Sequence, residues 1–114
     1  MALAIAGAIP LSAQTQRTYI RINQLGYVPG GPKTAVACSL DTTAIRTFTV
    51  QDSEGRVVLG PKKAVASGSF AACVSTHRLD FSTLRKPGRY TVVAGGAASP
   101  PVFINANAYE GAAF

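Results

Sequence analysis

The residues of this chain that could do chemistry are few: five carboxylates, one histidine, two cysteines and a scatter of serines. The carboxylates are Asp41, Asp52, Glu54, Asp80 and Glu110. Hydrolysis of a glycosidic bond needs two of them facing one cleft, roughly 5–10 Å apart. Asp52 and Glu54 flank the turn Asp-Ser-Glu-Gly and read as turn residues. Asp80 alternates outward on its strand, so no pair emerges. His77 follows Ser75 by two residues, which puts both on one strand face, about 7 Å apart. A nucleophile–base pair also needs a third group to orient the imidazole, and none is evident. A dyad of His77 with Cys38 or Cys73 has the same weakness. One His and two Cys fall short of a structural zinc site, so neither a metal nor a cofactor is expected. Gly30-Gly31-Pro32-Lys33 lacks the spacing and the following helix of a phosphate loop. By these residues alone the chain is not an enzyme.

The elements that carry them are short and strand-like. Alternation of apolar and polar residues runs through 18–23, 34–40, 45–52, 56–60, 62–69, 74–82, 89–94 and 101–106. Phe48 and Val50 share one face, and so do Ser75, His77, Leu79 and Phe81. Val36, Cys38 and Leu40 share another and are read as inward. The run 62–69, with Lys62 and Lys63, reads as an edge strand blunted by charge. Turn signals recur every 8–12 residues, and no helical period precedes Ala106. That pattern predicts an all-β, immunoglobulin-like antiparallel sandwich of about seven or eight strands. Asn107 is an N-cap candidate, and Ala-Tyr-Glu-Gly-Ala-Ala-Phe after it predicts a short helical start at 107–114.

The length of 114 residues suits one domain. The first thirteen residues, Met-Ala-Leu-Ala-Ile-Ala-Gly-Ala-Ile-Pro-Leu-Ser-Ala, are almost wholly apolar but shorter than the ~20 needed to cross a bilayer. They read as a secretory signal lacking its basic start, since no Lys or Arg precedes Arg17. The sandwich would then occupy 14–106, in a secreted or periplasmic protein without a membrane partner. Cys38 and Cys73 could pair in such a compartment, and two buried free thiols are the equal alternative. Net charge is +6, but the basic residues are scattered, with no cluster longer than two. Nucleic-acid binders concentrate charge beside stacking aromatics, so nucleic acid is not expected. An independent carbohydrate-binding module would want a flat aromatic platform, which here must come from four tyrosines and no tryptophan.

The densest backbone control lies in Arg-Ile-Asn-Gln-Leu-Gly-Tyr-Val-Pro-Gly-Gly-Pro-Lys, residues 21–33. Gly26 can take the positive-φ position of a type II turn with Leu25 before it, and Pro29 and Pro32 remove two donors. The run Asn23, Gln24, Gly26, Tyr27, Pro29, Pro32, Lys33 resembles the opening of the N-terminal immunoglobulin-like module of glycoside hydrolase family 9, the bacterial cellulase family. Asp80-Phe81-Ser82 and Pro87-Gly88-x-Tyr90 are similar to a later segment of the same module, and Tyr109 to the join with the next domain. The two cysteines are not part of that pattern. The resemblance implies a non-catalytic module of a polysaccharide-degrading enzyme, with 107–114 starting the catalytic domain. It implies packing against an (α/α)6 barrel in the same polypeptide, and only indirect contact with a β-glucan substrate. Asn23, Gln24, Gly26, Tyr27, Pro29 and Tyr109 are the candidates for that interdomain contact.

Overall fold

The computed structural model describes residues 17–108. Nine strands follow in order: β1 Thr18–Arg21, β2 Thr34–Ser39, β3 Thr47–Asp52, β4 Val57–Lys63, β5 Val65–Phe70, β6 Cys73–Asp80, β7 Gly88–Ala94, β8 Ala97–Ala98 and β9 Val102–Ile104. They make two antiparallel sheets. One has the order β1-β2-β6-β5, and the other β4-β3-β7, with β8 and β9 dividing the far edge of β7. Lettered in chain order, this is an ABED sheet against a C′CFG sheet, the arrangement of immunoglobulin-like sandwiches.

Alternation explains the core. Phe48 and Val50 of β3, Tyr90, Val92 and Ala94 of β7, and Val102 and Ile104 of β9 point inward from one sheet. Ile20, Ala35, Ala37, Leu79 and Phe81 meet them from the other. The last edge splits in two because Pro100 and Pro101 cannot donate to a ladder. Ser99 bridges the break: its amide donates to Val92 O at 2.8 Å and its Oγ accepts from Val92 N at 2.9 Å.

Two expectations are corrected. On β2 it is Ala35, Ala37 and Ser39 that face the core, each fully buried. Val36, Cys38 and Leu40 therefore share the outer face. Cys38 is nonetheless only 3% exposed, because the tip of the β5–β6 hairpin folds over it. Cys38 and Cys73 form a disulfide with Cα atoms 5.2 Å apart, and no free cysteine remains among the described residues. It joins neighbouring strands of one sheet, whereas the bridge of antibody domains crosses between sheets. The second correction is the helical start. There is no helix among the described residues. Residues 106–108 form a turn that Asn105 closes, its Oδ1 accepting from Asn107 N at 2.8 Å and its carbonyl from Ala108 N at 3.2 Å. Asn105, not Asn107, supplies the side chain that closes this turn, and 109–114, which hold most of the expected helical start, lie outside the described residues.

Pro87-Gly88-Arg89-Tyr90 builds a tyrosine corner. The Tyr90 hydroxyl donates to Lys86 O at 2.7 Å, and a Cβ on Gly88 would crowd that hydroxyl at 3.2 Å. Burial, foremost, raises the phenol above its ordinary value. Tyr90→Phe keeps the ring and orphans the Lys86 carbonyl. The expected loss is about 1–2 kcal/mol of unfolding free energy, read from urea unfolding. An unchanged midpoint would mean that water satisfies the carbonyl equally well.

Candidate functional site

Three segments meet beside β9: the loop 22–33, the Asp80-Phe81-Ser82 end of β6, and the turn that follows β9. The loop starts with a turn in which Asn23 O accepts from Gly26 N at 3.0 Å and Asn23 Oδ1 accepts from Leu25 N at 2.9 Å. Gly26 has φ +98° and is the fourth residue of this turn, one place later than a type II turn would put it. A Cβ there would come 2.9 Å from Phe103 O. Both the left-handed backbone and the close approach to β9 require glycine.

Tyr27 ties the loop shut. Its hydroxyl accepts from Asn23 N at 2.9 Å and donates to Thr34 O at 3.0 Å, linking the start of the loop to its end. Its amide donates to Phe103 O at 2.8 Å, and its carbonyl accepts from Asn105 N at 3.0 Å. Its ring meets Phe81 edge-on, with centroids 5.1 Å apart. Only 4% of Tyr27 is exposed.

Lys33 is the larger surprise, since a lysine is almost never fully buried without partners. It is 0% exposed. Its ammonium donates to Pro29 O at 2.6 Å, Gly31 O at 2.9 Å and Ser82 O at 3.2 Å. An ammonium has three donors, and all three are used. The backbone repeats the link: Lys33 N donates to Ser82 Oγ at 2.8 Å, and Phe81 N to Lys33 O at 2.9 Å. Asp80 fixes Ser82 by accepting from its amide at 2.9 Å and its hydroxyl at 2.6 Å. These bonds, the hydroxyl first, hold the Asp80 carboxyl below its ordinary value.

The sequence candidates thus fall into two groups. Gly26 and Tyr27 are buried within the module, while Asn23 and Gln24 are exposed and Pro29 is half-buried. Tyr109 lies outside the described residues. Lys33, Phe81 and Ser82 complete the joint, although sequence reasoning did not select them as site residues. Both Pro-Lys and Asp-Phe-Ser stood out as motif pieces, but 49 residues separate Lys33 from Ser82, which hides their proximity. Leu25, 54% exposed, and Phe103, 46% exposed, form the apolar rim, with the Arg89 guanidinium 5.8 Å from the Phe103 ring centre.

The residues considered for catalysis hold backbone instead. Ser75 Oγ donates to Asp41 O at 2.9 Å and lies 3.3 Å from Thr43 O. His77 Nε2 accepts from Ile45 N at 3.3 Å. Both clamp the crossover from β2 to β3. Asp52 accepts from Glu54 N and Arg56 N, and Asp41 from Thr43 N and Oγ1, so these acids brace their own turns. Among the described residues no three of His, Cys, Asp and Glu gather to hold a metal ion. What the geometry offers is a rigid joint with an apolar rim.

The sequence model of the cellulase N-terminal Ig-like domain matches residues 15–99. Endoglucanase C of Cellulomonas fimi is 34% identical over 92 residues, covering 80% of this chain and 8% of that enzyme. The xyloglucan-specific endo-beta-1,4-glucanase BoGH9A of Bacteroides ovatus is 33% identical over 97 residues, covering 84% and 16%. A metagenome-derived glycoside hydrolase family 9 endoglucanase of solved structure superposes with a TM-score of 0.66 at 31% identity, covering 77% and 18%. The chain spans less than a fifth of the length of each. It belongs to the cellulase N-terminal Ig-like domain family and corresponds to that part of family 9 endoglucanases.

Proposed function

We propose that this module packs against the catalytic barrel of an exported family 9 glycoside hydrolase in the same polypeptide, and stabilises it. One observation carries the reading. The joint 23–33 lies against the chain where it leaves β9: a Cβ on Gly26 would sit 3.4 Å from Ala108 Cβ. A domain joined after β9 would emerge beside the exposed Leu25 and Phe103. Polysaccharide substrate would meet the barrel, and the module would act through the joint. Export fits the disulfide, since such bonds persist in oxidising compartments.

Tyr27 is a poor probe of this interface, because its loss would damage the module itself. Leu25→Asp is the better one. In this chain alone the exposed change should stay within about 0.5 kcal/mol of wild type. In a full-length enzyme carrying the module, whose unfolding entropy grows with its length, the melting midpoint should fall by about 1 °C for each kcal/mol that the interface contributes. A full-length enzyme that melts unchanged would sink the packing role.

A further inference from the structure

The outer face of the β1-β2-β6-β5 sheet carries a trough, separate from the joint. Strand register lays out its floor. Tyr19, Cys38 and Thr76 form one cross-strand row, and Arg21, Val36, Arg78 and Val65 form the next. The disulfide holds the β5–β6 tip over the first row, so Phe70 walls the trough opposite Tyr19. Two hollows of about 400 and 290 Å³, with no lining residue in common, lie along β2 between Thr34 and Leu40. That run is about 20 Å long, open and suited to an extended polymer.

Three features define what would lie there. Tyr19 and Phe70 are 45% and 73% exposed, and offer apolar ring surface to the C–H faces of a sugar. Arg21 and Arg78 are exposed, flank Val36 about 10 Å apart, and form no ion pair among the described residues. Asp80, the acid on this face, is hydrogen-bonded by Ser82 and also lies within the electrostatic reach of Lys62 and Arg78, without an ion-pair contact to either. A neutral chain would cover two guanidiniums without pairing them, which costs free energy. A chain bearing carboxylates at intervals pairs them through two-pronged hydrogen bonds. Nucleic acid carries a phosphate every few ångströms and calls for a denser basic run than two arginines.

We infer that this trough binds an acidic, uronate-bearing polysaccharide. The inference does not depend on the joint being an interdomain contact. The test is affinity electrophoresis of the 114-residue chain through gels holding polygalacturonate, hydroxyethylcellulose, polyglutamate or single-stranded DNA. Polygalacturonate should retard the chain, and added salt should weaken the retardation. The double variant Arg21→Gln/Arg78→Gln should bind at least tenfold more weakly with an unchanged melting midpoint. Tyr19→Ala should weaken binding severalfold at constant charge. Equal retardation by hydroxyethylcellulose would overturn the acidic preference. Equal retardation by polyglutamate or DNA would reduce the face to general positive charge, or assign it to another polyanion. Absence of retardation by polygalacturonate would overturn the site.

Discussion

Lys33→Ala lowers the unfolding free energy by about 4–5 kcal/mol, and Lys33→Met by about 3 kcal/mol. Either change orphans the carbonyls of Pro29, Gly31 and Ser82, which the ammonium now satisfies. Each stranded acceptor costs about 1–3 kcal/mol, reduced where the loop relaxes or admits water. Met keeps the volume of the aliphatic stem, whereas Ala also leaves a cavity, so the two variants separate polar from packing loss. For a domain of about this size, 3 kcal/mol corresponds to a fall of roughly 12–24 °C in midpoint. Denaturant unfolding of both variants within 1 kcal/mol of wild type would show that water substitutes for the ammonium. The difference should also depend on pH. Burial, then the nearby Arg85, hold the Lys33 ammonium below its ordinary 10.5, while Asp80 pulls the other way. Between the lowered folded value and 10.5 the unfolded chain binds more protons, so wild type gains stability as pH rises there. The Met variant lacks that gain. The wild-type advantage should therefore widen toward alkaline pH, and a constant gap would contradict the assignment.

Why the sequence concealed this is a matter of range. Period-2 alternation is local, so it groups Phe48 with Val50 and Leu79 with Phe81 on shared faces, and both pairs are core. A lysine beside a Pro-Gly-Gly-Pro run reads as a solvated charge. Its burial depends on Ser82 and Asp80, brought alongside only by the Thr34–Asp80 register of β2 and β6. In the sequence the prolines only remove donors; in the structure Pro29 also contributes a carbonyl to the ammonium. The family motifs therefore mark one joint built from three distant segments. The Pro-Gly-x-Tyr spacing could have found the tyrosine corner, because its hydrogen bond spans only four residues. Ser99 could not be found that way, since its role needs β7 beside it.

Strand β2 failed for a different reason. Both of its faces are apolar, Ala35 and Ala37 on one and Val36, Cys38 and Leu40 on the other, so alternation names two faces without saying which is inside. The small alanines share the core with bulky Phe48 and Phe81, while on the larger face Cys38 is covered by the hairpin tip. That cover is where the disulfide acts. Every residue of β5 is exposed, so this edge strand contributes nothing to the core and is held by its ladder to β6 and by Cys38–Cys73. The bridge spans 35 residues of sequence, and closing such a loop in the unfolded chain is worth about 4 kcal/mol. Cys38→Ala/Cys73→Ala, or reduction of the wild type, should cost about 3–4 kcal/mol by denaturant unfolding. Reductant should leave the double variant unchanged. Amide exchange should quicken first in β5 and the start of β6, because few buried side chains oppose local opening there. Loss of the tip also removes the Phe70 wall, so polygalacturonate retardation should fall in the double variant even below its unfolding midpoint. Equal stability with and without reductant would leave the hairpin ladder as the sole anchor of β5, and uniform acceleration of exchange across both sheets would deny the local role.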